Sequence, residues 1–152
     1  MTSFDLRTID PYGPHVRPFL ELARLAFKDS TPISDEMIEF RRPVYAEQDL
    51  TGAFDGDTLV GTFRTWPTRL TVPGDPRRDV PATAVSTVAV LPTHTRRGIL
   101  TALMRRHLEQ AVADGSAVAV MIASEAVIYG RFGFGPATES TEIEVYLLRA
   151  RM

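Results

Sequence analysis

The sequence has no cysteine in its 152 residues, which removes thiol nucleophiles, disulfides and thiolate-ligated metals at once. Lysine is nearly absent too: Lys28 is the single example, and the remaining basic charge is arginine. Charge of one sign is lacking, since the formal net charge is −2, and this excludes a general attraction to nucleic acid or an anionic membrane. Any phosphate binding must therefore be local. No apolar run approaches the ~20 residues of a membrane span. The start, Met1 to Arg7, lacks a basic stretch followed by an apolar one, so a soluble cytoplasmic protein is expected. What is present is ordinary for a globular chain, with 44% hydrophobic and 24% charged residues. A chain of this length makes one domain that buries roughly 70% of its unfolded surface.

The pattern along the chain predicts a mixed α/β order. Phe4 to Ile9 alternates as a strand, and His15 to Phe27 has helical spacing. Ser34 caps a second helix that is expected to reach Arg41 and stop before Pro43. Leu50 to Phe54, the Asp55-Gly56-Asp57 turn and Thr58 to Thr65 read as a hairpin; its second arm extends toward Val72, with Pro67 at a kink or an edge. Ala82 to Leu91 and Ala117 to Ala123 are buried strands. Between them lies a helix from Gly98 with an apolar stripe of Ile99, Leu100, Leu103, Met104, Leu108, Ala111 and Val112, closed by Asp114-Gly115. Ser124 to Arg131 is a short turn or helix, and Ser140 to Leu147 a last strand. A long crossover helix between two buried strands implies a parallel pair inside a mixed sheet. There is no internal repeat and no linker, so the expectation is a single domain over 1–152.

One segment carries chemistry. At Val88 to Leu100 a buried strand ends, a loop presents Thr93-His94-Thr95-Arg96-Arg97-Gly98, and a long helix begins. A helix start leaves about four N–H groups unpaired and carries a positive dipole end, so an anion fits there. Gly98 keeps a side chain out of the way, and Arg96 or Arg97 adds charge-assisted bonds. The other reading is a plain strand-to-helix connection with solvated arginines. A P-loop is excluded, because the Gly-Lys-Ser/Thr ending is missing.

This segment resembles the acyl-CoA pyrophosphate loop of GNAT acetyltransferases. The match sharpens toward the N-terminal GNAT domain of the enhanced intracellular survival (Eis) proteins, on Val88-Ala89-Val90, Pro92-Thr93-His94, Arg96-Arg97-Gly98, Ala123-Ser124-Glu125 and Ile128-Tyr129-Gly130-Arg131-Phe132-Gly133-Phe134-Gly135-Pro136-Ala137-Thr138. Leu70-Thr71-Val72-Pro73-Gly74 also looks like a strand end of that family. The resemblance implies the GNAT fold: a mixed, mostly antiparallel twisted sheet with a splayed central parallel pair and flanking helices. It implies acetyl-CoA as co-substrate, with Val88 and Val90 facing the pantetheine arm, Arg96, Arg97, Gly98, Leu100 and Thr101 around the pyrophosphate, and Ser124 along the cleft. It also implies Tyr129 as general acid and Trp66 and Phe27 in the acceptor pocket. The sequence departs from Eis proteins at Ile122, Ala126 and Val127, where those have His and Gly-Gly, and from many GNAT proteins at Thr95 and Leu100.

The implied reaction is acetyl transfer to a primary amine, of a small molecule or a lysine side chain, through a direct ternary complex. A phenol of pKa about 10 protonates a departing thiolate only when well placed. Taken without the resemblance, Tyr129 reads as a core tyrosine beside Phe132 and Phe134. No residue stands out as the base; Glu125 is near Tyr129 in sequence, but a solvated carboxylate fits it as well. In Eis proteins the base is the C-terminal carboxylate, brought by a distant domain, whereas this chain ends at Met152. Hence the alternative of a non-catalytic acyl-CoA-binding or assembly module; a piece of a longer protein would tend to self-associate. His15, His94 and His107 lack metal-ligand spacing, so no metal is expected. Asp29, Asp35, Glu36 and Glu39 lie where GNAT acceptor pockets form, and read either as attraction for a polycation or as solvated helix faces.

Overall fold

A computed structural model describes residues 4–29, 31–74 and 78–139. The chain divides into two compact units, Met1–Ile122 and Ala123–Met152. The first unit holds a five-stranded sheet in the order β1-β2-β3-β4-β5. Its elements are β1 (Asp5–Thr8), α1 (Val16–Ala26), α2 (Asp35–Ala46), β2 (Asp49–Asp55), β3 (Thr58–Thr71), β4 (Asp79–Val90), α3 (Ile99–Ala113) and β5 (Val118–Met121). Pairing is antiparallel from β1 to β4, and β4 pairs β5 in parallel across the α3 crossover. The expected mixed sheet with a parallel pair is therefore present. The strand expected at Ser140 to Leu147 lies outside the described residues.

The period-2 alternation of β2 and β3 sorts their side chains onto two faces. Leu50 and Phe54 join Ile9, Val16, Phe19, Ile38 and Tyr45 in one core beneath α1 and α2. Phe63 and Thr65 face α3 instead: Phe63 stacks on His107 at 4.5 Å, and a Cβ at Gly61 would come within 3.0 Å of Ile99. A side chain at Gly61 would force Ile99 and its neighbours to give by a few tenths of an ångström.

Two expectations change and one is met. α2 runs through Pro43 to Ala46, with the proline at an exposed position and Ile38 and Tyr45 anchoring the helix on either side. β3 runs to Thr71 as expected, and Pro67 takes the edge position: β2 stops pairing at Thr65, so the proline lies on an open edge. The buried stripe of α3 is Ile99, Leu103, Met104, His107 and Ala111, whereas Val112 is 75% exposed. The true inner line runs in steps of four through a histidine, which an apolar count passes over.

Candidate active site

The site begins with an irregularity in β4. Thr62 pairs with Ala89 and Arg64 with Ser86, so Phe63 stands opposite both Thr87 and Val88. Thr87 absorbs the extra residue with φ +57°, unusual for a β-branched side chain. The Thr62 hydroxyl holds it by donating to the Thr87 carbonyl at 2.8 Å. Such a conformation costs about 1–3 kcal/mol and persists only when its surroundings fix it.

Past the bulge, β4 and β5 part. Their parallel register covers only Ala82–Val85 with Val118–Met121. The Leu91 N–H donates to Val60 on β3 at 2.9 Å, so by alternation the N–H and C=O groups of Val90 and Val88 point to the opposite edge. That edge is not paired to β5.

The chain then reaches α3 through a turn at Pro92–His94 and two left-handed residues, Arg96 (φ +61°) and Gly98 (φ +83°). A Cβ at Gly98 would meet nothing within 4 Å, so glycine is needed here for its backbone and not for room. No side chain caps the start of α3, and its first turn carries no acid. Its first N–H groups are thus left for an exogenous acceptor. The loop is tied from the β2–β3 turn: His94 Nε2 donates to Asp55 Oδ2 at 3.2 Å, and Arg97 lies 3.6 Å from the same oxygen. Donation from Nε2 leaves His94 Nδ1 to accept the Thr93 hydroxyl at 2.8 Å. Thr95 donates to the Pro92 carbonyl at 3.1 Å. Asp55 thus orients the loop, a role its place in an Asp-Gly-Asp turn does not disclose. It also divides the arginines, since Arg97 has a carboxylate and Arg96 has none among the described residues. Leu100 and Thr101 follow in the first turn of α3, half-buried and exposed respectively.

Residues 14–137 match the acetyltransferase (GNAT) domain profile. The chain belongs to the GNAT acetyltransferase family. It is 39% identical over 151 residues to an uncharacterised N-acetyltransferase of Streptomyces griseus, covering 97% of this chain and 35% of that one. It is 48% identical over 95 residues to the N-acetyltransferase Eis of Mycobacterium tuberculosis, covering 62% of this chain and 23% of that one. The crystal structure of Eis1 from Mycobacterium abscessus superposes with a TM-score of 0.68 at 38% identity, over 88% of this chain and 31% of that one. The chain thus spans about a quarter to a third of the length of these relatives. A GCN5-related N-acetyltransferase of Ralstonia eutropha, 19% identical, shares the fold with a TM-score of 0.74 over 93% of this chain and 99% of that one.

GNAT acetyltransferases use acetyl-CoA, and two observations fit such a ligand to this GNAT domain: the uncapped start of α3 and the open edge of β4 at Val88 and Val90. Val88, Val90, Arg96, Arg97, Gly98, Leu100 and Thr101 all fall on this one strand, loop and helix start of the first unit.

Ser124 and Tyr129 belong to the second unit. Tyr129 sits between two single 3-10 turns, Ala126–Ile128 and Gly130–Phe132, with its ring edge-on to Phe134 at 6.1 Å. Its carbonyl accepts from the N–H groups of Phe132 and Phe134, at 2.9 and 3.3 Å. Burial first, and the Glu125 charge second, raise the phenol above its ordinary value, so it keeps its proton throughout the neutral range. Glu125 and Ser124 are exposed.

On the α1–α2 face lies a cavity of about 330 Å³ that includes Phe27, Tyr45, Arg64 and Thr87 in its wall. Trp66 borders a different cavity, on the α3 face, yet its ring packs under the Arg64 guanidinium at 5.0 Å. Arg64 therefore borders the first cavity while packing against Trp66 at the second. The four acids between the first strands do not gather. Asp35 pairs with Arg17, Glu39 with Arg42 at 3.0 Å, and Glu36 is exposed. Asp29 alone borders the cavity, 3.6 Å from Arg24. Among the described residues no group of three or more His, Asp or Glu is placed to hold a metal ion, and no helix is long and apolar enough to cross a membrane.

Proposed function

We propose that this chain is one GNAT domain, whole or part of a longer protein, and that it serves acyl-CoA-dependent N-acetyl transfer to a primary amine through a direct ternary complex. The observation that carries the reading is the join of β4, loop and α3: a strand edge left open beyond a bulge leads into a helix start that nothing caps. Acetyl-CoA, when bound, supplies the acetyl group as a thioester. Val88 and Val90 offer backbone groups to the pantetheine amides, the first N–H groups of α3 at Gly98, Leu100 and Thr101 meet the pyrophosphate, and Arg96 adds charge. Arg97 shares its charge with Asp55 and steadies the loop as well. Ser124 lies along the cofactor cleft in this reading. The cavity on the α1–α2 face, bordered by Phe27 and Arg64, receives the acceptor, and Trp66 packs against Arg64 from the side.

Tyr129 holds the proton for the leaving sulfur. Its raised pKa keeps the proton in place at neutral pH but makes transfer to a thiolate uphill, so positioning has to supply most of the catalysis. The similarity to Eis, an N-acetyltransferase by name, supports acyl transfer over simple acyl-CoA storage. The location in this reading is the cytoplasm, where acetyl-CoA is made.

The test is acetyl-CoA binding by calorimetry, paired with acceptor-dependent release of free CoA. Tyr129→Phe is expected to lower turnover by about 10² or more with acetyl-CoA affinity unchanged. Binding without acceptor-dependent release across a broad amine panel would leave only an acyl-CoA-binding module. Equal turnover in Tyr129→Phe removes the assigned role.

A further inference from the structure

The cavity on the α1–α2 face is built for the opposite charge to an amine. Arg24 from α1, Arg41 from α2 and Arg64 from β3 all border it, against one carboxylate, Asp29. That carboxylate is already committed: it accepts the Thr31 N–H at 2.9 Å and lies 3.6 Å from Arg24. Among the described residues the ion pairs of α1 and α2 use Arg17, Arg24 and Arg42, and none uses Arg41. Arg64 lies between the rings of Tyr45 and Trp66, at 5.5 and 5.0 Å, and donates from one Nη to the Ser86 hydroxyl at 3.2 Å. Its Nε is buried with no hydrogen-bond partner among the described residues. Burial lowers its pKa, Tyr45 opposes that, and the Arg41 charge adds a smaller lowering, the mark of repulsion between the two guanidiniums. Two like charges held together over a cavity, one of them half-buried, are unfavourable until an anion lies between them.

The cavity also sits in the right place. Thr87, the bulge residue, borders it, and the next residue, Val88, begins the open edge of β4. A molecule in the cavity is therefore one residue from where the acyl arm would lie. Its volume of about 330 Å³ suits a compact molecule at the small end of ligand sites.

We propose that this cavity binds an acid group of the acceptor through Arg41 and Arg64, so that the preferred substrate is a small amine carrying a carboxylate or a phosphate and not a polycation. The proposal rests on the acetyltransferase reading for the amine, but the acid site rests on the arginines alone. Asp29, the one acid at the rim, neutralises Arg24 and leaves Arg41 and Arg64 for the ligand.

The test uses the full chain with CoA present and measures acceptor affinity by calorimetry for matched pairs. The pairs are an α-amino acid against its amide, phosphoethanolamine against ethanolamine, and spermidine as the polycation. Acid-bearing amines are expected to bind about tenfold or more tightly than their neutral partners, and the two pairs separate carboxylate from phosphate. Arg41→Gln, at an exposed position, and Arg64→Gln should each remove about tenfold of that preference, with acetyl-CoA affinity unchanged and Arg64→Lys recovering part of it. Equal or tighter binding of neutral amines or spermidine overturns the proposal, as does a preference that survives both glutamine variants. Acetyl-CoA turnover is measured on the same panel. Turnover without acid preference sinks this inference and spares the transferase reading; acid preference without turnover does the reverse.

Discussion

The two faces of the sheet carry cavities of equal size, about 330 Å³ each, built to opposite ends. On the α3 face, polar groups largely satisfy one another, with His107 Nε2 the buried nitrogen that has no partner among the described residues. Asp49 accepts from Thr51 at 3.1 Å, His107 meets Thr65 at 3.3 Å, and Gln110 donates to Asp114 at 2.8 Å. Burial holds His107 neutral, and its ring stacks on Phe63. On the α1–α2 face, three arginines are gathered against one carboxylate, Asp29, which pairs with Arg24. The first pattern belongs to a stabilising core; the second belongs to a surface waiting for a ligand. Substitutions on the α3 face should therefore change stability and leave acceptor choice alone, while those among the arginines should do the reverse.

The largest expected effect tests the core half of that contrast. Leu103 is fully buried under α3, and Leu103→Ala should cost about 2–5 kcal/mol, read as a lowered urea midpoint with an unchanged slope. Arg41→Gln in the same assay should stay within about 0.5 kcal/mol of the parent. If Arg41→Gln proves as damaging as Leu103→Ala, the arginines are structural and the contrast fails.

A smaller effect is expected where α3 begins, since there backbone geometry serves both stability and binding. Gly98→Val forces a β-branched residue to φ +83°, which should cost about 1–2 kcal/mol and weaken acetyl-CoA binding by tenfold or so. Gly98→Asn should lose less, because asparagine tolerates the left-handed region. Calorimetry on the two variants separates the readings: equal losses would mean the side chain, and not the backbone angle, obstructs the ligand.

The contrast also explains what could be read in advance. The β4–loop–α3 join was legible because its signals are local: a β-branched run, a proline, two arginines, a glycine and a helical stripe, all between Ala82 and Val112. The Thr87 bulge was not, because a threonine at positive φ has no sequence mark; the register with β3 imposes it. Asp55 was visible only as a turn residue, since its bonds reach across to residues 94 and 97. The arginine cluster draws on positions 24, 41 and 64, which only the topology brings together. His107 was read for metal spacing, and its place at the centre of the buried α3 stripe went unseen because helix-face counts score histidine as polar.

His107 supplies the smallest test, and it depends on sign. Desolvation, opposed by Asp49 and reinforced by Arg106, lowers its pKa in the folded chain below the ordinary value of 6.5. In the pH window beneath 6.5 the unfolded chain thus binds the proton that the folded chain refuses. Stability from this group is complete above pH 6.5 and is lost as pH falls from there toward the folded pKa. Carboxylates also titrate on acidification, so the effect has to be isolated by difference. His107→Phe keeps a ring against Phe63 and cannot titrate. Urea midpoints at pH 7.5 and 5.5 should therefore fall more in the parent than in His107→Phe. Equal falls in the two proteins would show that the α3 face accommodates a charged histidine, and the distinction between a neutral core and a charged pocket would lose its electrostatic basis.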